Sequence, residues 1–191
     1  MGMDRDEALE LVKKNVTNKN LFKHCLAVEA IMRGVAEVLN RKGKYVCDEN
    51  KWALAGLVHD IDYDKTANNP NEHSIVGAKI LEENGFDSDI VYAVKAHNYC
   101  HNLELKNPMD IALFCADPLS GLIVASALIS PEKKLKAIDV NFVLNRFKEK
   151  LFAKGANRQH IQRCNEIGLS LEEFIQIGLS SMQKIDSELG L

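Results

Sequence analysis

Six histidines occupy positions 24, 59, 73, 97, 101 and 160, and four of them fall on apolar stripes at helical spacing. His24 repeats with Val28 and Ile31, His59 with Trp52 and Ala55, His73 with Val76 and Ile80, and His97 with Ile90 and Val94. A single histidine on such a face is ordinarily a core residue with its imidazole satisfied. Four on successive helices each need buried hydrogen-bond partners, and a shared metal ion supplies partners to all of them at once. Two carboxylates join the pattern. Asp60 follows His59 directly, and Asp117 closes the apolar run 111–116, where a lone carboxylate is costly unless paired or metal-bound. The competing reading of Asp117 is a turn residue ahead of Pro118.

The elements that must position these residues read almost entirely at the helical period. Asp4 with Glu7 is a capping box opening a helix to about residue 16. A second helix is expected over about 20–41 and ends at Gly43. Asp48 caps a third over about 49–60. The stretch 61–71, with Asp62, Asp64, Asn68, Asn69 and Pro70, reads as a polar loop. Asn71 is then expected to cap a helix bearing His73, closed by Gly85, and Asp87 to cap one bearing His97. Asn107-Pro108 opens a helix to Asp117, where Pro118 is expected to break or kink the chain. Helices follow at about 119–129, 131–137, 140–151 and 158–165, and a Ser170–Glu173 capping box starts a long final helix to about 188. No stretch alternates as a strand would. The expectation is an all-α fold in one domain over 1–191, with a core at about 18–130 and a C-terminal helical extension at about 131–191.

The order His24, His59-Asp60, Asp117 resembles the signature of the HD-domain superfamily of metal-dependent phosphohydrolases, over about residues 21–122. His73 and His97 stand where dinuclear members carry extra ligands, and the whole chain is similar to a group of small HD hydrolases. The resemblance implies an HD helical bundle in which His24, His59, Asp60, His73, His97 and Asp117 bind metal, with Asp60 bridging two ions. Four imidazoles and two carboxylates suit Fe, Mn, Co or Zn better than Ca or Mg. Two such ions about 3.5–4 Å apart polarise a phosphoryl oxygen and make water nucleophilic near neutral pH. Many relatives carry Lys or Glu three residues after the motif aspartate; here that residue is Tyr63. Asp60, with Asp64 and Lys65 beside it in the loop, is therefore expected to do the catalytic work: Asp64 orients water and Lys65 meets phosphate. Lys95, Lys148, Lys154 and Arg158 are further candidates for an anion.

Composition narrows the substrate. With 24 basic and 27 acidic residues the formal charge is −3, so the broad basic footprint of a nucleic-acid binder is missing. A small phosphorylated metabolite or nucleotide is expected instead. The five cysteines are an odd number without a Cys-x-x-Cys pair, and are read as buried or partly buried thiols of a reducing cytosol. The acidic opening residues show no apolar signal core, and the uncharged stretch 118–131 is short for a bilayer, so a cytoplasmic protein without membrane contact is expected. The apolar positions Phe174, Ile175, Met182 and Ile185 suggest a homodimer through the last helix. Two other functions fit the same ligand set: an HD-type mixed-valent di-iron oxygenase, and a metal-stabilised nucleotide-binding module without turnover.

Overall fold

Polar side chains write most of the helix starts. In the computed structural model, which describes residues 3–191, Asp4 accepts the Glu7 N–H and Glu7 reaches back to the Asp4 N–H, opening α1 (Arg5–Asn15). Asn18 caps α2 (Lys19–Arg41) and Asp48 caps α3 (Glu49–Val58). The short α4 (Tyr63–Thr66) and the longer α5 (Ile75–Glu83) start without a side-chain cap. Asp87 caps α6 (Ser88–His97), and Asn107 with Pro108 and Asp110 opens α7 (Pro108–Ile129). Asp139 caps α8 (Val140–Lys148) and Asn157 caps α9 (Arg158–Gln162). Ser170 and Glu173 box the start of α10 (Leu171–Gln183), and α11 (Asp186–Leu189) ends the described chain. No strand occurs among the described residues, and the fold is all-α.

Two long helices, α2 and α7, form the centre. Helix α2 packs on α3, α7 and α10, and α7 reaches α6, α8 and α9 as well. One continuous apolar core runs from Ala8 and Val12 of α1 through Val28, Ile31, Leu113 and Leu122 to Phe174 and Met182 of α10. Each fully buried Leu or Ile contributes about 1.5–3 kcal/mol. A close backbone approach in this core sits at Gly56, where a Cβ would lie 2.7 Å from the Val28 carbonyl oxygen. That contact lets α3 ride directly on α2 and fixes the spacing of the histidines both helices carry.

Several boundaries differ from the sequence reading. Helix α7 continues through Pro118 instead of breaking there. The missing N–H costs the Phe114 carbonyl its partner, about 3 kcal/mol, but Leu113, Cys115, Ala116, Leu119, Leu122 and Ile123 are all fully buried and their burial outweighs it. Asp117 is therefore a mid-helix residue and not a turn. At 22 residues, α7 is long and apolar enough to cross a membrane, yet 61% of its most apolar window is buried inside the protein, as in a core helix. Asn71 does not cap α5; Ser74 occupies the N-cap position in a left-handed conformation (φ 67°) without a side-chain cap bond, which leaves His73 in the turn before the helix. The expected helix 131–137 is reduced to a 3-10 turn at Leu135–Ala137, and the final helix breaks at Lys184. Phe174, Ile175 and Met182 are fully buried in this chain's own core, so they are not free to form the dimer surface they suggested. Cys25, Cys47, Cys115 and Cys164 are buried, whereas Cys100 is exposed.

Candidate metal centre

Histidines from four separate elements meet at one point. His24 lies in the second turn of α2, His59 just beyond the end of α3, His73 in the turn before α5, and His97 at the last position of α6. Their Nε2 atoms surround Asp60. Its Oδ2 lies 3.6 Å from His24 and 3.5 Å from His59, and its Oδ1 lies 3.4 Å from His73 and 3.5 Å from His97. Asp117 of α7 brings its Oδ1 to 3.2 Å from His24 Nε2, and the Nε2 atoms of His24 and His59 are 3.1 Å apart. All six residues expected to bind metal are thus gathered, and three overlapping subsets have ligand atoms within 4.8 Å of one another.

The opposite nitrogen of each ring decides what faces the centre. His59 Nδ1 lies 2.8 Å from the Gly56 carbonyl, and His97 Nδ1 contacts the Val94 carbonyl. A carbonyl can only accept, so both rings carry their proton on Nδ1. His73 Nδ1 donates to the Asp62 carboxylate at 3.0 Å. The Ser120 hydroxyl donates to the Asp117 carbonyl and so receives the His24 Nδ1–H at 2.9 Å. With Nδ1 carrying its proton in every ring, each imidazole in its neutral form points a bare Nε2 lone pair at the two carboxylates. Lone pairs 3.1–3.6 Å apart repel unless a cation or protons lie between them, and ligand spacings of this size match the edges of a coordination shell with bonds of about 2.1 Å.

The metal-free electrostatics express the same crowding. Burial opposes ionisation of Asp60 and Asp117. The imidazoles facing them (His59 and His97 for Asp60, His24 for Asp117) nevertheless hold both carboxyls below the usual range. Burial depresses His24 and His97, but contact with Asp117 and Asp60 respectively carries them above the ordinary value. His59 is fully enclosed, and burial pushes it down to about 4.

Sequence reasoning passed over the residues that hold His73. Asp62, placed in the polar loop, is fully buried. Besides His73 Nδ1 it accepts the Ser74 and Gly77 N–H groups, both at 2.8 Å, and a Cβ on Gly77 would meet its carboxylate at 3.2 Å. These bonds, with Ser74 Oγ on the Lys95 carbonyl, support the left-handed Ser74 backbone. His101 donates to the His73 carbonyl at 2.8 Å. One signal was available: an inward His73 requires an acceptor for Nδ1, and Asp62 is the buried carboxylate eleven residues before it.

The two other expected catalytic residues point away. Asp64 is exposed and accepts Thr17 N–H, Thr17 Oγ1–H and Asn18 N–H at 2.6–3.1 Å, which ties the turn between α1 and α2. Lys65 reaches Asn15 Oδ1 at 2.9 Å. Arg158 is likewise used internally, donating to six carbonyls around the end of α8, among them Phe147, Ala153 and Phe152. An open cavity of about 470 Å³ leads to the cluster, walled by His24, Asp60, His73, His97 and Asp117 with Leu21, Tyr63, Pro70, Asn98 and Tyr99. No Lys or Arg lines it among the described residues, so Lys95, Lys148 and Lys154 are not part of its wall.

Comparison with known proteins places this geometry. The family model described as HD domain matches residues 21–140. An uncharacterized protein of Methanocaldococcus jannaschii is 28% identical over 164 residues, 84% of this chain and 92% of that one. Ribonuclease Y of Oleidesulfovibrio alaskensis is 27% identical over 104 residues, covering 54% of this chain but 18% of the enzyme. A tRNA (cytidine(56)-2'-O)-methyltransferase of Picrophilus torridus is 30% identical over 94 residues, 49% of this chain and 25% of that protein. No solved structure matches. The match spans more than half of the chain and contains His24, His59-Asp60, His73, His97 and Asp117: the chain belongs to the HD domain family, of the superfamily of metal-dependent phosphohydrolases.

Proposed function

We propose that this chain is a hydrolase that holds two divalent transition-metal ions and cleaves a small phosphoester, a nucleotide foremost. The observation that carries the reading is the division of Asp60: one carboxylate oxygen faces the Nε2 pair of His24 and His59, the other the pair of His73 and His97. In this reading Asp117 joins the first pair and Asp60 bridges both. The nitrogen-rich donor set fits Fe, Mn, Co or Zn. Ions held there make water nucleophilic near neutral pH and neutralise charge developing on a phosphoryl group. The residues of this chain supply the rest. Gly56, Val94, Asp62 and Ser120 fix the four tautomers, and the cavity admits a ligand of nucleotide size.

Ribonuclease Y, which shares about half of this chain's length, is by its name a phosphodiester-cleaving enzyme, in keeping with phosphoester chemistry here. The absence of Lys and Arg from the cavity wall among the described residues, with the net charge of −3, favours a small substrate over a polynucleotide. Asp64 and Lys65 take no part in the proposal, because both are bonded to the turn between α1 and α2. The test is phosphate release from a panel of nucleotides and sugar phosphates, by protein loaded with Mn, Co, Zn or ferrous iron, with and without oxygen. Metal-dependent release independent of oxygen is expected. A product formed only with oxygen and ferrous iron would replace this reading with the di-iron oxygenase, and binding without product would replace it with a sensor.

A further inference from the structure

We propose that the cavity selects phosphoesters carrying a planar ring and recognises the ring by its face, so that a nucleoside monophosphate is bound with little regard to which base it carries. The inference rests on the phosphoester reading and specifies the substrate class of that site. Its basis is an uneven wall. Tyr63 and Tyr99 both line the cavity, and both are exposed, Tyr99 by 66%. A large aromatic ring left in water beside a catalytic cluster forfeits burial that a stacked ligand ring would restore.

Each ring has an aromatic neighbour. Tyr63 stands edge-on to His73, with centroids 5.0 Å apart. Tyr99 lies 5.3 Å from His160, which is itself 4.4 Å from Phe114, one helical turn before Asp117 on α7. Helix α9, outside the core region expected from the sequence, thus props one wall of the cavity through His160. A pre-positioned ring costs little ordering when a ligand stacks on it.

Edge recognition has few groups to draw on. Reading a base edge requires free amides, hydroxyls or guanidiniums, and apart from the hydroxyls of the two tyrosines themselves the amide and hydroxyl side chains of the wall are already engaged. The Asn98 side chain donates to the Pro70 and His73 carbonyls, and Thr66 Oγ1 donates to the Asp62 carbonyl. Every base has a stacking face, whereas each has a different edge. Stacking without edge contacts gives preference for a ring and tolerance of its identity.

The test is calorimetric titration of the metal-loaded protein with AMP, GMP, CMP, UMP and ribose 5-phosphate. The four nucleotides are expected to bind within about fivefold of one another and about 5- to 100-fold more tightly than ribose 5-phosphate, the range that one stacked ring supplies. Tyr99→Ala should collapse the nucleotide-to-ribose-phosphate ratio towards one, and Tyr99→Phe, which keeps the ring, should restore it. Equal affinity for AMP and ribose 5-phosphate overturns the inference while leaving the phosphoester reading standing. So does a Tyr99→Ala protein with an unchanged ratio, or a strong preference for one base. Failure of every phosphate to bind overturns both.

Discussion

The two halves of the cluster are built by different means. His24 comes from α2 and His59 from the C-terminal end of α3, helices pressed together at Gly56, and that packing sets the spacing of the two rings. His73 belongs to no helix. It is held through its ring by Asp62 and through its carbonyl by His101, at a turn whose next residue is left-handed. The first pair therefore inherits the rigidity of the core, and the second joins His97, set at the end of α6, to a His73 that depends on a hydrogen-bonded carboxylate. Asp60 serves both, Asp62 serves one, and Asp64 serves neither. Three acidic residues alternating along a few positions acquire three different tasks from where the chain bends.

That difference orders the expected effects of substitution. Asp60→Ala removes the group shared by both halves; loss of both ions and at least about 1000-fold of the hydrolytic rate is expected from metal analysis and kinetics. Asp62→Asn should separate the halves. Affinity for the ion on the His73–His97 side should fall about 10- to 100-fold, while the ion on the His24–His59 side stays bound in a competitive chelator titration. Equal weakening of both would show that the halves are not independent.

Acid should act on both sides alike. One imidazole of each pair, His24 and His97, has its pKa raised by a neighbouring carboxylate, so as pH falls protons compete with a metal ion for these nitrogens. Affinity should then fall as pH drops, by up to about tenfold per unit for each displaced proton, and both ions should leave together. Proton release on metal addition, followed by calorimetry in buffers of different ionisation enthalpy, measures this. The smallest effect belongs to Asp64→Ala. It loses the bonds to Thr17 and Asn18 and should cost about 1 kcal/mol in a denaturant melt without slowing hydrolysis. A large loss of rate with unchanged stability would return Asp64 to the active site.

The parts legible in the sequence are those governed by local chemistry. Asp4, Asp48, Asp87, Asn107 and Ser170 each mark a helix start because a short polar side chain competes for the first-turn N–H groups wherever it occurs. The six residues of the cluster are singled out because four inward histidines and two carboxylates are hard to satisfy separately and because their order resembles the HD signature. What escaped depends on distant packing. Pro118 passes inside α7 because buried residues on both sides outweigh one lost hydrogen bond. Asp62 is concealed in a stretch of loop composition, its partners lying eleven to fifteen residues ahead. Arg158 reads as an anion ligand until the end of α8 is seen wrapped around it.

The central claim is that Asp60 divides the cluster into two metal positions, and elemental analysis addresses it directly. Wild-type protein and His73→Ala would be purified without chelator and without oxygen, and metal measured per chain. The account predicts two ions in the wild type and about one in the variant. A single ion unchanged by the substitution, or no metal in either protein, would contradict it.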